Sequence, residues 1–174
     1  MNRGIVFLAK GLGSGWCPKG PGTAGTVVGL AWTAALLMAG NLAVFWLGAL
    51  VGVGAAVWIC GRAETILGEH DPGSIVLDEI VAVPLCFGTL ITRQAWTAGA
   101  GNVGPSEFLG AHPWWTVPLV FAGFRLFDIA KPWPVRQSQR FPGGWGVVAD
   151  DVLAAAWVNV GCLLALGWVP GCCG

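Results

Sequence analysis

Long apolar runs, separated by short blocks that hold nearly all the charge, constrain this chain more than any other feature. Val27 to Ala39 is apolar, Gly40-Asn41 reads as a turn, and Leu42 to Cys60 is apolar again. Further runs cover Ile75 to Thr92, Trp114 to Ala130 and Val147 to Val169. The runs approach the roughly 20 residues that cross a bilayer, although the first is short. A soluble domain carries about 25% charged residues; this chain carries 10%, with a mean hydropathy of +0.70. The expected fold is all-α: one domain over residues 1–174, a polytopic membrane bundle of about five apolar helices. Zero net charge leaves no basic stripe for nucleic acid.

Met1 to Lys10 is too short for the charged and apolar regions of a cleavable signal peptide. The six cysteines (Cys17, Cys60, Cys86, Cys162, Cys172, Cys173) show no CxxC pair and no zinc spacing, and read as small apolar filler.

With about five crossings, the loops on one side hold only Arg93, Glu107 and His112. The other ionisable side chains return to the face where the chain begins. Arg3, Lys10, Lys19, Arg62, Lys131, Arg136 and Arg140 share that face, which the positive-inside tendency makes cytoplasmic. Trp114, Trp115, Trp133 and Trp145 suit interfaces.

Acidic residues gather at the same ends of three expected helices: Asp78-Glu79, Asp128 and Asp150-Asp151. Ser74 is a plausible N-cap for the first, Pro84 should kink it, and Asp150-Asp151 are expected in the first turn of the last. Carboxylates at a low-dielectric boundary require a counter-charge. Asp78, Glu79, Asp128, Asp150 and Asp151 are oxygen ligands of the kind that suits a hard divalent cation, magnesium above all. Arg125 and Asp128 lie at i, i+3 on one face, and Pro132 and Pro134 end that helix at Lys131. Arg125, Lys131 and Arg140 would complement phosphate oxygens. Gly11 to Thr26 reads as a glycine-rich loop in which Lys19 and Thr23 could help cradle an anion, without P-loop order. The set is the apparatus of phosphoryl chemistry. The plainer alternative is that Arg125–Asp128 is a structural ion pair and the other acids cap helices.

HDPGSIVLDEIV (70–81), FRLFDIAKPWPV (124–135) and GGWGVVADDVLAA (143–155) resemble the signature blocks of the phosphatidylglycerophosphatase A family. The early Pro21-Gly22-Thr23 and Gly25 resemble its N-terminal block, and the blocks occur in family order. Ala130 departs from a position where the family often has an aromatic residue. The resemblance implies a magnesium-dependent lipid phosphatase of the bacterial inner membrane, with its site facing the cytoplasm. It would convert phosphatidylglycerophosphate to phosphatidylglycerol and phosphate. Carried over by position, the matching acids are Asp71, Asp78, Glu79, Asp128, Asp150 and Asp151, with Arg125, Lys131 and His70 beside them. Direct water attack and an aspartyl-phosphate route both remain open. The rival from another class is a small transporter or channel with an acidic ion path. It predicts ionisable residues at helix middles, whereas here they fall at the ends. Oligomeric state is not legible.

Overall fold

The computed structural model describes residues 2–99 and 103–167; Cys172 and Cys173 lie outside them. Nine α-helices and no strand occur among the described residues. In chain order they are α1 (Asn2–Ala9), α2 (Pro21–Leu37), α3 (Leu42–Leu67), α4 (Leu77–Cys86), α5 (Gly88–Ala98), α6 (Pro105–Ala111), α7 (Thr116–Ala130), α8 (Val135–Ser138) and α9 (Gly144–Gly167). A 3₁₀ turn, Gly11–Trp16, joins α1 to α2.

Two helices are long and apolar enough to cross a membrane, Leu42–Leu67 and Gly144–Leu166. Only 17% of the apolar window in α3 is buried in the protein. Leu47, Leu50, Val51 and Trp58 point outward, an apolar surface suited to lipid. Both features suit a membrane-associated chain. The expected count of about five apolar helices is not confirmed: α2 has 17 residues, α7 has 15, and the 75–92 run is broken in two.

Pro84 causes that break. It has no N–H to donate to the Ile80 carbonyl and crowds the turn before it, which weakens the last turn of α4. That helix ends at Cys86 and α5 restarts at Gly88. Asn159 of α9 patches the joint: its amide accepts from the Thr89 N–H (2.7 Å) and donates to the Leu85 carbonyl (2.8 Å). In lipid, unpaired backbone groups of this kind would cost several kcal/mol each.

The centre of the bundle is α4, packed against α2, α3 and α9. Ala82, Val83, Cys86 and Phe87 bury against Phe45, Phe124, Ala154 and Ala155. At the other end of α3, Gly144 meets the Val57 carbonyl and the Gly61 backbone so closely that no side chain fits there. The N–H of Val76 donates to the Ala9 carbonyl (3.0 Å), tying α4 to α1.

Local boundaries differ from expectation in four places. Val76, not Ser74, precedes the first turn of α4. Thr23 and Thr26 lie in α2 instead of a loop, because Pro21 is well suited to a first helical position. Arg93, expected in a loop, belongs to α5, and Glu107, expected in a loop, lies in α6. Asp150 and Asp151 fall in the second turn of α9, since the helix starts at Gly144.

Candidate active site

Four elements meet at one end of the bundle. Asp78 and Glu79 stand in the first turn of α4, Arg125 and Asp128 near the end of α7, and Asp150 and Asp151 in α9. His70-Asp71 comes from the α3–α4 loop. Asp78, Asp150 and Asp151 are buried, with 6%, 4% and 3% exposure. The carboxylates of Asp78, Glu79, Asp128 and Asp150 all lie within electrostatic reach of Asp151. The helix mouths therefore do face one another.

Two cations hold the acids apart. Arg125 Nη1 donates to Asp128 Oδ2 (2.7 Å) and to Glu79 Oε1 (3.0 Å), so α7 is bolted to α4. Lys131 Nζ donates to Asp150 Oδ2 at 2.6 Å, linking the end of α7 to α9. Lys131 is the residue just past α7 and has φ 45°, the left-handed conformation usual for glycine at such a stop. A non-glycine residue held there costs on the order of 1–3 kcal/mol, which the Asp150 contact helps offset. Burial opposes the charge on Lys131, but the Asp150 hydrogen bond and the neighbouring carboxylates raise its pKa above the usual value.

Two positioning groups escaped the sequence reading. Glu64, inside α3, accepts from the Asp71 N–H (2.8 Å) and meets His70 Nδ1 at 2.6 Å. The Glu64 hydrogen bond raises the His70 pKa, while burial raises that of Asp71 against the pull of Lys131 and His70. Gln139, just after α8, donates from Nε2 to Asp150 Oδ2 (3.1 Å) and reaches Asp71 Oδ2 at 3.5 Å. A glutamate four residues from Gly68 and a loop glutamine carry no spacing signal in sequence.

The glycine block of α2 closes the site on its fourth side. A Cβ on Gly22 would run into Glu79 Oε1 and the Arg125 guanidinium, and one on Gly25 would lie 2.7 Å from Glu79 Oε2. Lys19, Thr23 and Arg140 are exposed, with no polar side-chain contact to the acidic cluster. His70 is also exposed, at its rim.

The acids fit a hard cation by chemistry more than by their present arrangement. Glu79 Oε2 and Asp150 Oδ1 are buried with no hydrogen-bond partner among the described residues. Orphaned carboxylate oxygens of this kind are suited to a divalent ion. As placed, no three of these side chains converge on one point among the described residues. A shared ion would have to draw carboxylates away from Arg125 and Lys131.

The sequence matches the family phosphatidylglycerophosphatase A over residues 7–166. A Bacteroides thetaiotaomicron protein named "Putative phosphatidylinositol-3-phosphatase" is 34% identical over 171 residues, covering 95% of each chain. An Escherichia coli protein named phosphatidylglycerophosphatase A is 32% identical, covering 92% of this chain and 82% of its own. A Haemophilus influenzae protein of the same name is 30% identical, covering 90% of this chain and 85% of its own. No solved structure matches significantly. With a match that runs from α1 to the end of α9 and takes in every acid of the cluster, the chain belongs to the phosphatidylglycerophosphatase A family.

Proposed function

We propose that this chain hydrolyses the phosphomonoester of phosphatidylglycerophosphate, releasing phosphatidylglycerol and phosphate at the cytoplasmic face of a bacterial inner membrane. Family membership supports the reaction class, and the Arg125 bridge between Glu79 and Asp128 carries the assignment of the site. The remaining crossings would be made by α2, α7 and the α4–α5 pair, too short singly but continuous in the bundle.

Asp78, Glu79, Asp128, Asp150 and Asp151 would hold magnesium, which when bound supplies charge neutralisation and orients the attacking oxygen. Arg125 and Lys131 neutralise the charge that builds on the phosphoryl oxygens. Gln139 and Glu64 fix Asp150 and the His70-Asp71 turn. Water forms a bond to phosphorus as the bond to the glycerol oxygen breaks, and an adjacent carboxylate takes the water proton. In the alternative route an aspartate oxygen attacks first, and water then cleaves the aspartyl-phosphate to release phosphate and restore the carboxylate. In either route the glycerol oxygen leaves with a proton delivered by a neighbouring acid. The acyl chains stay in the bilayer throughout.

The test is phosphate release by purified protein in detergent micelles containing phosphatidylglycerophosphate. Release that needs magnesium and stops with chelator is expected. No release under any divalent ion would leave the transporter reading ahead. Because one relative is named for a phosphoinositide, phosphatidylinositol 3-phosphate belongs in the same assay. Hydrolysis of that lipid alone would overturn the substrate assignment but keep the reaction class.

A further inference from the structure

A second opening has its mouth away from the acidic cluster, although its deep end adjoins Asp151. A groove of about 810 Å³ runs between α3, α5 and α9. Its deep end is at Leu85 and Val152, its middle at Thr89 and Asn159, and its mouth at Arg93, Trp96 and Thr97. It opens beside the α4–α5 break, where Gly88 passes the Trp46 ring so closely that a Cβ would lie 2.6 Å from it. The Trp46 indole N–H donates to Thr92 Oγ1 (3.1 Å), which sets the level of the mouth on α3.

That level is the opposite boundary from the site. Trp46 stands 18 residues before Glu64 on α3, and Glu64 is the residue that bonds His70 and Asp71 of the following loop. At ~1.5 Å per residue the two are about 27 Å apart, close to the roughly 30 Å of a hydrocarbon core. The connection after α5 returns to the same end: the Val103 N–H donates to the Gly40 carbonyl in the α2–α3 turn (3.4 Å). From Val152 to Leu163 the groove follows 11 residues of α9, about 16 Å, the depth of one leaflet.

We infer that the groove holds one acyl chain of an anionic phospholipid from the leaflet opposite the acidic cluster, with the lipid phosphate on Arg93. Arg93 is the one charged residue lining the groove and makes no ion pair among the described residues. Trp96, 86% exposed one turn away, is placed as an interfacial anchor. A cation at the mouth of an apolar slot selects a negatively charged headgroup over a zwitterionic one. Such a chain would fill the space beside the α4–α5 joint. The inference rests on the membrane-spanning reading but not on the reaction.

The test uses full-length protein in phosphatidylcholine nanodiscs doped with phosphatidylglycerol that carries a photoreactive group on its acyl tail. Labelled peptides are mapped by mass spectrometry, and phosphate release is measured on the same samples. Labelling concentrated in residues 152–163 and in α5 is expected, falling at least fivefold in Arg93→Gln. A photoreactive phosphatidylcholine should label wild type no better than phosphatidylglycerol labels Arg93→Gln. Ala156→Trp, which fills the slot, should remove labelling from both lipids; if that variant does not fold, competition by unlabelled phosphatidylglycerol but not phosphatidylcholine replaces it. Equal labelling by the two lipids, or labelling unchanged in Arg93→Gln, overturns the inference. Loss of phosphate release with labelling intact would instead count against the proposed reaction.

Discussion

Gly22 and Gly29 lie seven residues apart in α2, and replacing each by alanine should produce opposite outcomes. A Cβ at Gly22 meets only the tips of two flexible side chains, Glu79 Oε1 and the Arg125 nitrogens (2.9 and 3.0 Å). Those tips can move by roughly an ångström without disturbing backbone. Alanine also favours a helix over glycine by up to about 1 kcal/mol. Gly22→Ala should therefore fold normally, with its melting temperature within about 3 °C of wild type. What it displaces is the ion pair that positions Arg125. A misplacement of that size costs on the order of 10²-fold in turnover, about 2.7 kcal/mol in the barrier. At Gly29 the added atom would lie 2.6 Å from a buried Val83 methyl and 3.0 Å from the Ile80 carbonyl. Neither can retreat, so Gly29→Ala should lose about 1–3 kcal/mol by overpacking, several degrees in melting temperature. Its folded fraction should keep near-normal kcat. The assays are phosphate release from phosphatidylglycerophosphate and thermal unfolding in the same detergent. Turnover of Gly22→Ala within threefold of wild type would refute the claim that this contact holds the site.

Asp128→Asn and Asp150→Asn should lower turnover by at least about 10²-fold while leaving membrane insertion intact, as fractionation and activity together would report. Near-normal hydrolysis by either would remove it from the ligand set. Asn159→Leu leaves the Thr89 N–H and the Leu85 carbonyl without their side-chain partner, and a loss of about 2–4 kcal/mol is expected by denaturant titration. In wild type the His70 ring should titrate above its ordinary 6.5, moving back toward that value in Glu64→Gln. Because the folded pKa is raised, the His70–Glu64 contact contributes fully below pH ~6.5 and is lost as pH rises through the folded value. NMR of the imidazole protons would follow it, and an unchanged midpoint in Glu64→Gln would sink the assignment.

The acids were legible because charge is scarce: each polar block between apolar runs stood out, and three fell at corresponding helix ends. Pro84 was readable for the same covalent reason wherever it occurs. The start of α9 was not, since Gly143-Gly144 and Gly146 argue for a loop by propensity. Close packing of Gly144 on Val57 and Gly61 overrides that preference, and this moves Asp150 and Asp151 a turn deeper. Glu64 and Gln139 were invisible because their roles depend on which loop folds back to them. The reading of Lys19 and Arg140 as anion ligands followed charge alone, and both side chains stand exposed outside the cluster.

The zero net charge of the chain conceals a separation. Nine acids balance nine cations overall, yet six acids and only two cations enter the cluster. Seven cations against three acids are left for everything else, and six of the seven (all but Arg93) lie on segments near the cluster end. The protein thus presents a negative well ringed by positive side chains. The well would attract a divalent ion and the ring an anionic membrane surface, so added salt should loosen both attractions at once.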